Sequence, residues 1–225
     1  VVSPKGKQKS PAFLVLNFCG NHAVTDDKRV PLQRGWAKCS PNNRATDADR
    51  RGQAKDWPLE EIVGRGYALA TFCNNDVDSD RADVSDGVYK WLAPDAPPHN
   101  RGTIAAWAWG FHRAMDYLVT DKAIDPKRVA TVGHSRNGKT SLLAAAMDER
   151  FALAIPHQAG CGGTAPSRGT IGESVAQINK GFPHWFNAEF KKYNDAPQKL
   201  PFDQNCLVAL MAPRPVLFSN AVEDQ

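Results

Sequence analysis

Ser135 stands in Gly133-His-Ser-Arg-Asn-Gly138-Lys139-Thr140, directly after the apolar run Val129-Ala-Thr-Val132. Lys139 to Met147 reads as a helix built on Leu142, Leu143 and Ala146. A strand, a sharp turn and a helix present one residue at the tip of the turn. Two chemistries use such a tip. In one, a serine hydroxyl attacks a carbonyl, with a histidine taking its proton and an acid orienting the histidine. In the other, backbone N–H groups at the helix start hold phosphates. Gly133-x-x-x-x-Gly138-Lys139-Thr140 fits the phosphate pattern G-x-x-x-x-G-K-[ST] in full. The nucleophile elbow usually reads G-x-S-x-G, and here the second glycine comes one place late, at Gly138. Pattern alone favours phosphate, and the surrounding chain must decide.

The chain has 225 residues, of which 42% are hydrophobic, enough for one sizeable core, and we expect a single domain over residues 1–225. The net charge of +4 comes without a basic block, so a nucleic-acid partner is not expected. No apolar run approaches the roughly 20 residues that span a bilayer, so no membrane partner is expected. There is no signal peptide, and Val1 is not a natural start, so the numbering is read as beginning on a trimmed chain. The five cysteines, Cys19, Cys39, Cys73, Cys161 and Cys206, form no C-x-x-C pair. They read as small buried residues at strand ends, not as a metal or redox site, and no cofactor is expected.

Strands and helical stretches alternate. Ala12 to Phe18, Tyr67 to Phe72, Arg128 to Val132, Phe151 to Pro156 and Pro215 to Ser219 read as strands. Their continuous apolarity predicts a mostly parallel sheet with helices on both faces, a three-layer α/β sandwich. Helices are expected from Trp57 to Val63, Thr103 to Val119, Thr170 to Asn179 and Phe202 to Met211. The second of these carries Ile104, Trp107, Ala108, Phe111, Met115 and Leu118 on one face. Thr25 to Asp56 is a long polar stretch, and Asp76 to Asp86, with five aspartates, reads as a surface loop. In this order at least two strands precede the elbow. Phosphate-loop proteins usually open with that turn and place an aspartate at a second strand end. Here the strand ends are Pro156-His-Gln158 and Asn220, so a hydrolase with a central elbow fits better, its triad running Ser, Asp or Glu, His.

Nine stretches carry a resemblance over nearly the whole chain. They are Leu16-Asn-Phe-Cys-Gly-Asn-His22, Arg65-Gly-Tyr-Ala-Leu-Ala-Thr71, Gly102-Thr-Ile-Ala-Ala-Trp-Ala-Trp109, Gly133-His-Ser-Arg-Asn-Gly-Lys139, Asp148-Glu-Arg-Phe-Ala152, Gly160-Cys-Gly-Gly163, Phe182-Pro-His-Trp-Phe186, Leu200-Pro-Phe-Asp-Gln204 and Ala212-Pro-Arg-Pro-Val216. Through them the chain resembles the bacterial branch of the glucuronoyl esterases, carbohydrate esterase family 15. The serine motif accounts for the late glycine and makes the phosphate match accidental. The resemblance implies an α/β-hydrolase fold and hydrolysis of the ester between 4-O-methyl-glucuronic acid on xylan and a lignin alcohol. It implies a glucuronoxylan–lignin fragment as partner, a secreted or periplasmic bacterial protein, and a monomer.

The same resemblance assigns roles. Ser135 would be the nucleophile. The Arg136 side chain would join backbone N–H groups on the oxyanion, where charge develops only in the transition state. Lys139 would hydrogen-bond sugar hydroxyls, and Trp185 and Glu173 could line the sugar site. For Trp185 core packing, and for Glu173 a place in the first turn of a helix, are the plain alternatives. Two departures follow. Many relatives carry a glutamate where this chain has Gln158, and an amide cannot stabilise an imidazolium. The acid is then expected after the later strand, at Asp224 in preference to Glu223. None of His22, His99, His112, His134, His157 and His184 falls at the family's catalytic place. That histidine is expected beyond Gln225, the chain being read as a piece of a longer enzyme. A non-catalytic carbohydrate-binding relative is the alternative function.

Overall fold

The computed structural model describes residues 1–6, 8–82, 86–92, 95, 101–169 and 171–221. Four strands form one parallel sheet: β1 (Ser10–Asn17), β2 (Ala68–Cys73), β3 (Ile124–His134) and β4 (Leu153–His157), in the order β2-β1-β3-β4. The helices are α1 (Leu59–Gly64), α2 (Tyr89–Leu92), α3 (Thr103–Leu118), α4 (Arg136–Met147), α5 (Val175–Gly181), α6 (Ala188–Lys191) and α7 (Gln204–Ala209). The strand alternation and the elbow's place after β3 agree with the expectation. The expected strand at Pro215 to Ser219 is reduced to two parallel bridges on β4, Val216 to Ala154 and Ser219 to His157.

Register decides which side chains share a face. Ala12 pairs with Ala68 and Val129, and Leu14 with Ala70 and Thr131. These residues, with Leu16 and Ala154, turn to α3 and α4, where Ile104, Trp107, Phe111, Met115 and Leu142 complete a buried core. Burying this layer favours folding by about 25 cal/mol per Å² of apolar surface removed from water. The opposite face carries Phe13, Val15, Leu69, Val132 and Ile155. Trp57, Pro58 and Ile62 at α1 cover its edge, leaving a cavity of about 710 Å³. Among the described residues the face toward α3 and α4 is the fully buried one, and β1 alternates between buried and half-buried residues.

α3 also positions two distant segments. The amides of Thr103 and Ile104 donate to the carbonyls of His184 and Trp185 at 2.9 and 3.3 Å. These are unpaired N–H groups of the helix start, put to use on a neighbouring loop. Further along, Trp107 Nε1 donates to Asp78 O at 2.7 Å. That bond draws the aspartate-rich segment inward. Asp78 and Asp80 are buried, which corrects the surface-loop reading of Asp76 to Asp86. The helix expected from Thr170 begins later, at Val175, because Ser174 caps it and Gln177 closes a capping box; Thr170 itself lies outside the described residues.

The polar stretch from Thr25 to Asp56 is ordered by its own contacts. It holds three short 3-10 turns, and Arg50 Nη1 donates to Asp27 O and Val30 O. A disulfide joins Cys19, just past β1, to Cys39. For these two cysteines the reading as simple buried residues is overturned; it holds for Cys73 and Cys161, while Cys206 is exposed. The bond closes a separation of 20 residues. Replacing both cysteines by serine in the full-length protein should cost about 3 kcal/mol, the chain-entropy value for a loop of this size. Urea unfolding of the two proteins measures it. An unchanged midpoint would mean that the backbone contacts alone hold the stretch.

Candidate active site

The turn after β3 is built from two close approaches. A β-carbon on Gly133 would lie 2.0 Å from Asn137 O, and one on Gly138 would lie 2.7 Å from His157 O. The helix start is thus pressed against both β3 and β4. Asn137, at the place of the usual second glycine, is fully buried and donates from Nδ2 to Leu16 O at 3.2 Å, tying α4 to β1. In this closed turn Ser135 takes φ 56 and ψ −120, a left-handed conformation that a serine rarely adopts. Ser135 N donates to His157 O at 2.9 Å, and Ser135 O accepts from Lys139 N at 3.0 Å, so the strained residue is held on both sides. This is an elbow and not a phosphate cradle: Lys139 Nζ is turned onto Ala159 O at 2.5 Å.

Arg136 follows on the first turn of α4. Its Nη1 is paired with Asp80 Oδ2, and its guanidinium lies 4.5 Å from the Trp185 ring centre and 5.0 Å from that of Phe182. Those two rings are stacked, with centroids 3.6 Å apart. Asp80 also accepts from Lys38 Nζ at 2.7 Å and Trp185 Nε1 at 2.9 Å, and His184 Nε2 lies 3.0 Å from its Oδ1. Burial alone would push the Asp80 carboxyl up, but hydrogen bonds from His184, Lys38 and Trp185 and the Arg136 charge hold it well below the usual carboxylate range. It is therefore an anion throughout the pH range in which proteins work. Two cations against one anion leave this cluster positive beside the serine.

Lys139 and Trp185 are almost wholly buried, and both border a second, mostly apolar cavity of about 800 Å³. The Trp185 ring is a support behind Arg136, in line with the core-packing alternative. Glu173 is exposed and precedes the Ser174 cap, so it is not in the first turn of α5. Gln158 follows β4 with φ 45, its N–H on Ser219 O. Glu223 and Asp224 lie outside the described residues, as does His99. Among the described residues no imidazole nitrogen is hydrogen-bonded to Ser135 Oγ. His112 bonds Ala144 O, His157 Nδ1 faces Ser219, and His184 is on Asp80. Burial pushes the Cys161 thiol up to about 11, so it is no competing nucleophile.

Asp80 and Lys38 are the residues that sequence reasoning missed. Asp-rich runs normally face water. The partners that make this one different stand at positions 38, 75, 136, 184 and 185, with no spacing to reveal them.

Comparison with known proteins points the same way. Residues 53–225 match the family described as glucuronyl esterase, fungi. A carbohydrate esterase from an unknown prokaryotic organism is 46% identical over 97% of this chain and 53% of its own length. The 4-O-methyl-glucuronoyl methylesterase of Podospora anserina is 34% identical over 68% of this chain and 34% of its own length. Among solved structures, a glucuronoyl esterase from Solibacter usitatus is 40% identical with a TM-score of 0.88, over 99% of this chain and 58% of that one. The chain spans about half the length, or less, of these curated relatives.

The strain at Ser135 can be measured. Ser135→Ala keeps a β-carbon at φ 56, whereas Ser135→Gly removes it. The glycine variant should be the more stable of the two by about 1 kcal/mol, the low end of the cost of such a conformation. Chemical denaturation compares them. A less stable glycine variant would mean that the turn is unstrained.

Proposed function

This chain belongs to the glucuronoyl esterase family, and on that footing we propose that the whole protein is a serine esterase acting on esters of 4-O-methyl-glucuronic acid. The observation that carries the reading is a strained serine at an elbow with a fixed guanidinium next to it. Ser135 Oγ attacks the uronate carbonyl while a histidine takes its proton. The oxyanion that forms is met by Arg136 and by backbone N–H groups, and this contact strengthens only as charge develops. Collapse expels the alcohol, which takes the proton from the histidine. Water then adds to the acyl-enzyme by the same steps and frees the uronic acid and Ser135.

The triad partners are assigned outside the described residues. The acid is Asp224, with Glu223 the alternative, and the histidine is in the part of the whole protein that this chain does not span. Gln158 is unsuited because its amide carries no charge. The sugar lies on the acyl side and stays bound through both half-reactions. Lys139, one helical turn from Ser135, is proposed to hydrogen-bond its hydroxyls, with Trp185 and Glu173 proposed to line the sugar site. Lignin–carbohydrate esters of glucuronoxylan are the proposed natural substrate and the protein is proposed to be a secreted or periplasmic bacterial monomer. The Cys19–Cys39 disulfide supports an oxidising compartment. No helix among the described residues is long and apolar enough to cross a membrane.

Turnover of benzyl glucuronate by the full-length protein tests the reading. Ser135→Ala should abolish it with the fold intact, and turnover near wild type would overturn the assignment. Asp224→Asn should lower kcat by about 10²–10⁴, as when a triad acid is neutralised; if Glu223→Gln does so instead, the acid is its neighbour. Lys139→Ala should cut kcat/KM for the uronate ester by about 10–150-fold, the value of a hydrogen bond from a charged donor, and barely change hydrolysis of p-nitrophenyl acetate. Equal losses on both substrates would mean that Lys139 supports the turn and not the sugar.

A further inference from the structure

We infer that Asp80 is the positioning residue of this site, a buried carboxylate whose function is to aim the Arg136 guanidinium at the oxyanion; this rests on the esterase reading above. An arginine side chain has many rotamers, and a loose one would have to be ordered each time the transition state forms. Here the ordering is built in. Asp80 grips the edge of the guanidinium, and the Trp185 ring lies against it 4.5 Å away. The carboxylate, with 1% of its side chain exposed, is fixed in turn. Trp185 Nε1, His184 Nε2 and Lys38 Nζ all lie within 3.0 Å of its oxygens, and its backbone N–H donates to Asn75 Oδ1 at 3.0 Å.

Two features separate this from a plain structural ion pair. A single carboxylate would cancel the arginine's charge and weaken its attraction for an oxyanion. Lys38 on the same carboxylate oxygen restores a net positive charge, so geometry is gained without losing the field. Lys38 is also anchored. It precedes Cys39, whose disulfide partner Cys19 follows Phe18, and the Phe18 ring lies 5.9 Å from the Arg136 guanidinium. The disulfide thus joins two walls of the same cluster.

A double-mutant cycle in the full-length enzyme tests the inference. Asp80→Asn keeps the volume and removes the charge. With Arg136 present it should lower kcat/KM for benzyl glucuronate about 10–100-fold, within the coupling range of contacting residues, mostly through kcat. In an Arg136→Ala background the same change should cost no more than about 2-fold, because the residue it aims is gone. Trp185→Phe, which keeps a ring under the guanidinium but removes one donor to Asp80, should give a smaller loss with the same dependence on Arg136. It serves if Asp80→Asn does not fold. A second readout needs no turnover: the Arg136 Nε–H signal in ¹⁵N spectra should be sharp and slow to exchange in the wild type and lost in either variant. If wild type fails to hydrolyse the ester, the functional reading fails while this signal still decides the role of Asp80. Equal losses in both arginine backgrounds, or an Arg136 signal unchanged by both variants, would overturn the inference.

Discussion

Two missing β-carbons set the geometry on which the site depends. Gly133 and Gly138 let the start of α4 press against β3 and β4 at distances that no side chain would permit. With the turn closed that tightly, Ser135 stands at positive φ. The strain is local, and neighbours over-determine it: His157 O on one side, the first helical hydrogen bond on the other, and Asn137 pinned to β1. Strain of this kind persists only where the surrounding structure is worth more than its cost. Here the surroundings are the packed sheet and α4, the middle of the core.

The second requirement is charge held away from water. Burying an ion pair gains little net stability, and removing one partner of such a pair costs about 3–5 kcal/mol because the other is left uncompensated. Asp80 is therefore a poor choice for stability alone. It makes sense as a way of turning fold energy into a fixed cation. α3 contributes on both sides, through Trp107 on Asp78 O and through its first amides on the carbonyls of His184 and Trp185. One helix thus sets the distance between the carboxylate and two of its donors. Secondary structure, packing and electrostatics are linked there by a few hydrogen bonds.

Much of this architecture was legible in the residues. Apolar runs marked the four sheet strands along the chain though not their order in the sheet, the face from Ile104 to Leu118 marked α3, and the serine motif marked the elbow despite its late glycine. Ser174-Val-Ala-Gln177 carried the capping box that starts α5, so the misplaced helix start had a readable signal. The disulfide had none, since five cysteines without paired spacing do not reveal their partners. Nor did Asp80. A carboxylate's burial is decided by where its donors fall in space, and these come from four separated segments.

Covalent capture tests most directly whether Ser135 is a nucleophile made reactive by its surroundings. The full-length protein, treated with a fluorophosphonate that loses fluoride to an activated serine, is digested and its peptides are weighed. One adduct is expected, on the peptide containing Ser135, with a phosphonyl oxygen where Arg136 would meet the oxyanion. No adduct, or an adduct on another serine such as Ser219 beside His157, would contradict the account.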